Sequence, residues 1–193
     1  KQAIWIGGSL GSFFLTTIEI LDGFSEEWGA SPGDLIANTA GSALVIGQEL
    51  LWDEQRIILR YSYHKTDEAE LRPDLLGSGW SDRWLKDYNG ITVWASANIN
   101  SFLPEESKFP KWLNLAVGYG AQGMLGGHEN PAKYEGNTLP EMERYRQYYL
   151  ALDIELGRIK TKSKLLRTLF KSVALIKVPL PAVEYNSVHG FKF

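Results

Sequence analysis

Polar residues recur along one stripe of an apolar segment close to the beginning of the chain. Asp34, Asn38 and Gln48 are spaced so that a helix would place them on one face, and Glu19 lies in the apolar run before them. A carboxylate in apolar surroundings needs a partner, and two carboxylates at one such site titrate at different pH values, as an acid–base pair requires. The spacing therefore indicates Glu19, Asp34 and Asn38 as candidate catalytic residues.

A structural hydrogen-bond network explains the same pattern. In that interpretation Asp34 caps a helix and Asn38 bridges to a neighbouring segment. No complete catalytic set accompanies these residues, so none is assigned a catalytic role. The sequence favours a non-enzymatic protein without deciding the question.

The composition excludes several kinds of site. The 193 residues contain no cysteine, which excludes a thiolate nucleophile, a disulfide and a cysteine-ligated metal. The histidines, His64, His128 and His189, have no partner at metal-binding spacing, so neither a metal nor a cofactor is expected. A net charge of −3 provides no basic excess for binding nucleic acid.

Two helical segments carry the candidate residues. Residues 3–21 contain a single charge, Glu19, and approach the ~20 residues of a membrane-spanning helix. A buried core helix would have the same composition. Ser31 as N-cap and Pro32 as first residue predict a second helix over 32–52. We expect residues 1–54 to form a helical domain that is N-terminally incomplete.

From residue 55 onward the pattern becomes that of strands. β-branched and aromatic residues in alternation predict an antiparallel, β-rich region over 55–193. Five strands are expected, at residues 56–63, 91–100, 113–120, 145–158 and 183–193. Residues 65–90 and 126–143 are predicted as loops, with a short helix at 81–88 and a turn at Asn89-Gly90.

The clearest strand, at 145–158, separates apolar from polar side chains. One face carries the apolar residues Tyr148, Leu150, Leu152, Ile154 and Leu156. The other face carries Gln147, Asp153 and Glu155. Such alternation, with tyrosines at one end, is typical of a membrane strand, so the five apolar residues are candidate lipid-facing residues. A sheet with one face on a core and one in water alternates in the same way.

Two further patterns lie near the end of the chain. Residues 162–176 predict a basic amphipathic helix, which would lie either at an anionic lipid surface or on the sheet. The last strand ends in Phe191-Lys192-Phe193. Alternating aromatic residues that end in a terminal phenylalanine resemble the closing strand of outer-membrane barrels.

The chain also resembles a known family. The run Glu19-Ile-Leu-Asp22-Gly-Phe-Ser25-Glu-Glu-Trp28-Gly-Ala-Ser31-Pro-Gly-Asp34-Leu-Ile-Ala-Asn38-Thr-Ala-Gly41 is similar to the DUF2279 family. That family includes YfiM-like predicted periplasmic lipoproteins and longer Bacteroidota proteins. The longer members also resemble this chain at Gln48-Glu-Leu-Leu-Trp52-Asp-Glu-Gln-Arg56, Leu85-Lys-Asp-Tyr-Asn89-Gly90 and Lys108-Phe-Pro-Lys-Trp112-Leu-Asn114.

The resemblance implies a location and no activity, because DUF2279 is a domain of unknown function. Its members usually have an upstream helix with an Asp-Lys-x-x-His motif, and this chain begins after that point. The Glu19, Asp34, Asn38 and Gly41 pattern is also weakly similar to VanZ-like membrane proteins.

These observations predict an α+β fold with two N-terminal apolar helices, a sheet resembling an outer-membrane barrel and one amphipathic helix. The expected protein is a structural or assembly component of the bacterial cell envelope, at the outer membrane or its periplasmic face. Its expected partners are membrane lipid and other outer-membrane proteins, with no nucleic acid. The alternatives are a lipid-processing or lipid-binding membrane enzyme that uses Glu19 and Asp34, and a soluble periplasmic binding module.

Overall fold

The computed structural model describes residues 2–22, 32–127 and 129–192, and only the backbone of residues 18, 19, 21 and 22. The helices in these residues are α1 (Gln2–Asp22), α2 (Pro32–Trp52), α3 (Glu68–Leu71), α4 (Pro73–Leu76), α5 (Trp80–Lys86) and α6 (Lys164–Ser172). The strands are β1 (Ile57–Tyr63), β2 (Ile91–Asn98), β3 (Leu113–Gln122), β4 (Lys133–Tyr134), β5 (Asn137–Thr138), β6 (Tyr145–Ile154), β7 (Ala182–Asn186) and β8 (Gly190–Lys192). The fold is therefore α+β.

The chain divides into two compact units, Lys1–Arg56 and Ile57–Phe193. In the first unit, α1 and α2 approach each other closely where Gly8 meets Ile46, because a Cβ at Gly8 would overlap the Ile46 side chain. Gln48 is buried on α2, where its side-chain carbonyl accepts a hydrogen bond from the Arg56 backbone N–H at 2.9 Å. Glycine at this crossing thus permits the close packing of the two helices.

Neither helix of the first unit hides its apolar side chains completely. Phe13 and Ile36, for example, are 66% and 70% exposed. Among the helices in the described residues, none combines the length and the hydropathy that crossing a bilayer requires.

The second unit is built on one antiparallel sheet. Its six strands follow the order β1-β2-β3-β6-β7-β8, and each neighbouring pair is antiparallel. The outer edge of β1 pairs with the segment after α6, since the Tyr61 N–H donates to the carbonyl of Leu175 and the Lys177 N–H donates to the carbonyl of Tyr61. A separate two-stranded hairpin joins β4 to β5.

The strand predictions need correction at two places. The strand predicted over 145–158 ends at Ile154, because Glu155 turns the chain into a short 3-10 helix at Leu156–Arg158. The strand predicted over 183–193 is a hairpin of β7 and β8. Its turn is held by the Asn186 side chain, which accepts hydrogen bonds from the N–H groups of Val188 and His189, and Gly190 follows at φ +70°.

The two predicted loops contain short elements. Helices α3 and α4 lie in the segment 65–90, and the β4–β5 hairpin lies in the segment 126–143. Arg72 joins these regions: its guanidinium donates to the carbonyl of buried Leu125 at 2.8 Å and stacks on the Tyr134 ring at 4.7 Å. The same group binds Asp74 through two hydrogen bonds and lowers the pKa of that carboxyl.

Candidate functional site

The two faces of the six-stranded sheet have opposite chemistry. One face, which we call the apolar face, consists of aromatic and aliphatic side chains in rows that cross the strands. The register places Tyr119 on β3 beside Tyr148 on β6, Tyr148 beside Tyr185 on β7, and Tyr185 beside Phe191 on β8. Each of these four side chains is about half exposed or more. They form an aromatic row at one end of the face.

Aliphatic rows follow the aromatic row along the strands. Val117, Leu150 and Val183 form the next row, and Leu115 and Leu152 belong to the row after it. Leu150 is 48% exposed and Val117 is 55% exposed. Leucine and valine in the middle of a sheet are normally covered by a second layer. In the described residues these side chains are not covered.

The predicted lipid-facing residues divide between the strand and the turn after it. Tyr148, Leu150 and Leu152 are exposed on the apolar face, and Ile154 ends β6 on the same face, partly buried. Leu156 belongs to the 3-10 helix that follows and is not part of the strand.

The opposite face, the polar face, carries a buried cluster of charges. Arg60 on β1 is fully buried, and its Nε lies 2.9 Å from Asp153 Oδ2 at the end of β6. Its Nη2 donates to Glu155 Oε2 at 2.6 Å, and its Nη1 donates to the carbonyl of Ala174 at 2.8 Å. The cation thus holds together β1, the end of β6 and the segment after α6.

Neutral side chains complete this cluster. Ser96 donates to Asp153 Oδ2 at 2.6 Å, Asn114 donates to Ser96 Oγ at 2.9 Å, and Asn98 donates to Asn114 Oδ1 at 2.6 Å. All three residues are buried. These hydrogen bonds make the cluster a connected network, in which Asp153 Oδ1 has no hydrogen-bond partner among the described residues.

A tryptophan occupies the middle of the polar face. A Cβ at Gly118, the cross-strand neighbour of Trp94, would overlap the Trp94 ring, so the glycine makes room for the indole. The indole N–H donates to Ser62 Oγ at 2.8 Å, and the Tyr149 ring lies 5.5 Å away, centroid to centroid. Lys177 Nζ lies 4.4 Å from the Trp94 ring centroid, and burial lowers the pKa of Lys177.

The polar face is the concave side of the sheet. Strands lie about 4.8 Å apart, so β1 and β6, with β2 and β3 between them, would be about 14 Å apart in a flat sheet. Arg60 nevertheless reaches Asp153. The segment after α6 also crosses this side, because its backbone pairs with Tyr61 on β1 and Lys177 Nζ donates to the carbonyl of Leu152 on β6. The apolar face is therefore the convex side.

Helix α6 is amphipathic and carries basic residues. Leu165 is 78% exposed, Leu169 is 51% exposed, and no residue of the helix is buried. Lys164, Arg167 and Lys171 are exposed as well. Packing on the sheet, which is one of the two predicted positions of this helix, would bury Leu165 and Leu169, and both are exposed in the described residues.

A recess of about 670 Å³ opens beside the aromatic row. Its lining includes Arg144, Arg146, Tyr148, Tyr185 and Ser187. The Arg146 guanidinium lies 5.8 Å from the ring centroid of Tyr119, which belongs to the aromatic row. The recess thus combines cationic and hydroxyl groups at the border of the apolar face.

The candidate catalytic residues belong to the first unit. Asp34 is exposed on α2 and Asn38 is partly buried one turn later, while the Glu19 side chain lies outside the described residues. A cavity of about 740 Å³ between α1 and α2 is lined by apolar residues, among them Trp5, Phe13 and Leu50, and by six serine and threonine residues. An acid–base role for Glu19 and Asp34 stays a prediction.

Within residues 2–22, 32–127 and 129–192, no group of three His, Cys, Asp or Glu side chains is placed to hold a metal ion. The sequence did not reveal the Arg60 cluster. The one indication of this cluster in the sequence is Arg60 itself, a lone arginine between Leu59 and Tyr61 in a predicted strand. Alternation assigns this position to the face opposite the apolar residues.

Comparison with known proteins yields no match to a family model, to a curated protein or to a solved structure.

Proposed function

We propose that this chain is a structural or assembly protein of the bacterial cell envelope, located at the outer membrane or its periplasmic face. The convex, apolar face of its sheet contacts membrane lipid in this proposal, as the outer face of an outer-membrane barrel does. The observation that carries the proposal is the uncovered apolar face, in which four aligned strands expose tyrosine, leucine and valine side chains.

An apolar face of this kind is unusual for a protein surrounded by water. Contiguous apolar patches beyond a few hundred Å² generally mark interaction or membrane surfaces. From Tyr148 to Ile154 the face extends about 20 Å along β6 at ~3.4 Å per residue, which is slightly less than the ~25 Å apolar band of outer-membrane strands.

The aromatic row and α6 support a lipid partner rather than a protein partner. Tyrosine is enriched where apolar tails meet polar headgroups, and Tyr119, Tyr148 and Tyr185 form a row at one end of the face. Helix α6 follows the other end of β6 and carries exposed leucines with Lys164, Arg167 and Lys171. Such a helix suits a membrane interface with anionic lipid.

The envelope location rests on the resemblance of residues 19–41 to the DUF2279 family. Other outer-membrane proteins are the further partners that an assembly role implies. Both remain parts of the proposal.

A charge in the middle of the apolar face tests the proposal. We expect Leu150→Arg to abolish flotation with phosphatidylcholine vesicles, since an arginine at the bilayer midplane costs about 2–4 kcal/mol. Asn137→Arg, in the exposed β5 strand, adds the same charge away from the face and should float like the wild type. Circular dichroism would verify that both variants keep their sheet. Recovery of the wild type as a monomer without detergent, with no vesicle binding, would contradict the proposal.

A further inference from the structure

Arg146 lies immediately beyond the aromatic row. It precedes Tyr148 by two residues on β6 and therefore belongs to the same face of the sheet. The step along the strand is about 7 Å. Its side chain is exposed, and its guanidinium lies beside the Tyr119 ring. The aromatic end of the apolar face is therefore bordered by a cation on β6.

The recess beside Arg146 has the chemistry of an anion site. Its lining includes a second guanidinium, from Arg144, and the hydroxyl-bearing residues Tyr148, Tyr185 and Ser187, while no acidic residue lines it in the described chain. Arg144 donates to the carbonyl of Gly127 at 3.0 Å, which fixes its position against the loop. Guanidinium groups donate two parallel hydrogen bonds to phosphate oxygens, and hydroxyl groups add further donors.

We propose that this recess binds the phosphate of a phospholipid headgroup while the acyl chains of the same lipid lie along the apolar face. The inference rests on the proposed membrane contact of that face. Tyr148 supports the connection, because it both lines the recess and belongs to the aromatic row. A lipid is favoured over free phosphate because the recess opens onto a face that would bind acyl chains.

Native mass spectrometry of the detergent-extracted full chain measures the binding. The probe is phosphatidylglycerol, titrated as a single species. We expect one retained lipid per chain, and Arg146→Gln should weaken its retention about tenfold, the loss expected for one charge-assisted hydrogen-bond pair. Arg146→Lys, which keeps the charge without the planar pair of donors, should lie between the two.

Lys108→Gln is the matched control, because Lys108 is exposed in the segment before β3 and belongs neither to α6 nor to the lining of the recess. Equal losses in the Gln variants of Lys108 and Arg146 would overturn the site and indicate general attraction between charges. Displacement of the lipid by millimolar inorganic phosphate would also overturn it, because the recess would then bind the free anion.

Flotation with phosphatidylcholine vesicles separates this inference from the proposed function. If wild type and Arg146→Gln both float but neither retains phosphatidylglycerol, the headgroup site is wrong and the membrane contact stands. If neither floats, the membrane contact itself is wrong. Circular dichroism of Arg146→Gln verifies that its sheet is intact.

Discussion

Arg60 and Asp153 form a fully buried ion pair at 2.9 Å although β2 and β3 lie between their strands. This ion pair spans the concave side, because it joins the first strand of the sheet to the end of the fourth. Glu155 and Ala174 bind the same guanidinium, so a single side chain holds three parts of the second unit.

Removal of this cation should strongly destabilise the second unit. Arg60→Met leaves the carboxylates of Asp153 and Glu155 buried without their cation, which typically costs about 3–5 kcal/mol. Chemical unfolding followed by tryptophan fluorescence measures the loss, because Trp94 lies on the same face of the sheet. The matched control is Lys65→Met, which breaks the exposed ion pair with Glu70 and should cost about 0–1 kcal/mol.

A double variant checks that the cost comes from the unpaired charge. Arg60→Met combined with Glu155→Gln should be less destabilised than the sum of the two single variants. Additive losses would show that the pair contributes no coupling energy.

Gly8 and Gly11 should respond to alanine in opposite directions. A Cβ at Gly8 would overlap Ile46, whereas a Cβ at Gly11 meets no atom within 4 Å. We expect Gly8→Ala to lower the melting temperature of the helical unit, because the crossing of α1 and α2 must open. Gly11→Ala should raise the melting temperature, because alanine stabilises a helix by up to about 1 kcal/mol relative to glycine. Thermal unfolding followed by helical circular dichroism measures both, and a gain in stability for Gly8→Ala would contradict the close crossing.

Lowering the pH should weaken the ion pair between Arg72 and Asp74. Arg72 holds the pKa of Asp74 below its ordinary value, so the pair stabilises the fold above the unfolded-state pKa of about 3.9 and loses this contribution as the pH falls through the lower folded-state pKa. The contribution should stay below about 1 kcal/mol, because Asp74 is partly exposed. Unfolding free energies of wild type and Asp74→Asn should differ above pH 5 and converge as the pH falls below the unfolded-state pKa of about 3.9. A constant difference across this range would exclude the linkage.

Helix α6 should contribute to membrane binding without contributing to stability. Leu165→Glu places a charge on its apolar side and should reduce affinity for phosphatidylglycerol vesicles, while the unfolding free energy changes by less than about 0.5 kcal/mol. Thr168→Glu adds the same charge on the polar side and serves as the control. Vesicle co-sedimentation measures the affinity. Equal losses in both variants would show that the helix is held by charge alone.

Local patterns predicted most of the regular elements. Helix α2 begins and ends at the predicted residues, since Pro32 and the uncharged run after Asp34 mark it clearly. Strands β1, β2, β3 and β6 follow from alternation between apolar and polar side chains. The aromatic alternation of the last residues predicts a single strand, whereas Asn186 and Gly190 turn the chain and make this segment the β7–β8 hairpin.

The charged cluster could not be predicted in this way. Alternation assigns Arg60 and Glu155 to a face of the sheet, but these residues are 95 positions apart along the chain. Which strands become neighbours, and how strongly the sheet curves, depends on long-range pairing that no short pattern contains. The recess at Arg146 was missed for the same reason, because three separate segments supply its lining.

The strict division between the two faces has a consequence for insertions and deletions. Loss of one residue from the middle of β6 would shift the register by one position, so that Asp153 would take the place of Leu152 among the leucines and Ile154 would take the place of Asp153 beside Arg60. Both the ion pair and the apolar surface would be lost together. Loss of one residue between Leu139 and Glu143, before the strand begins, would leave both faces in register. Natural length variation in this chain should therefore concentrate in the segments between strands.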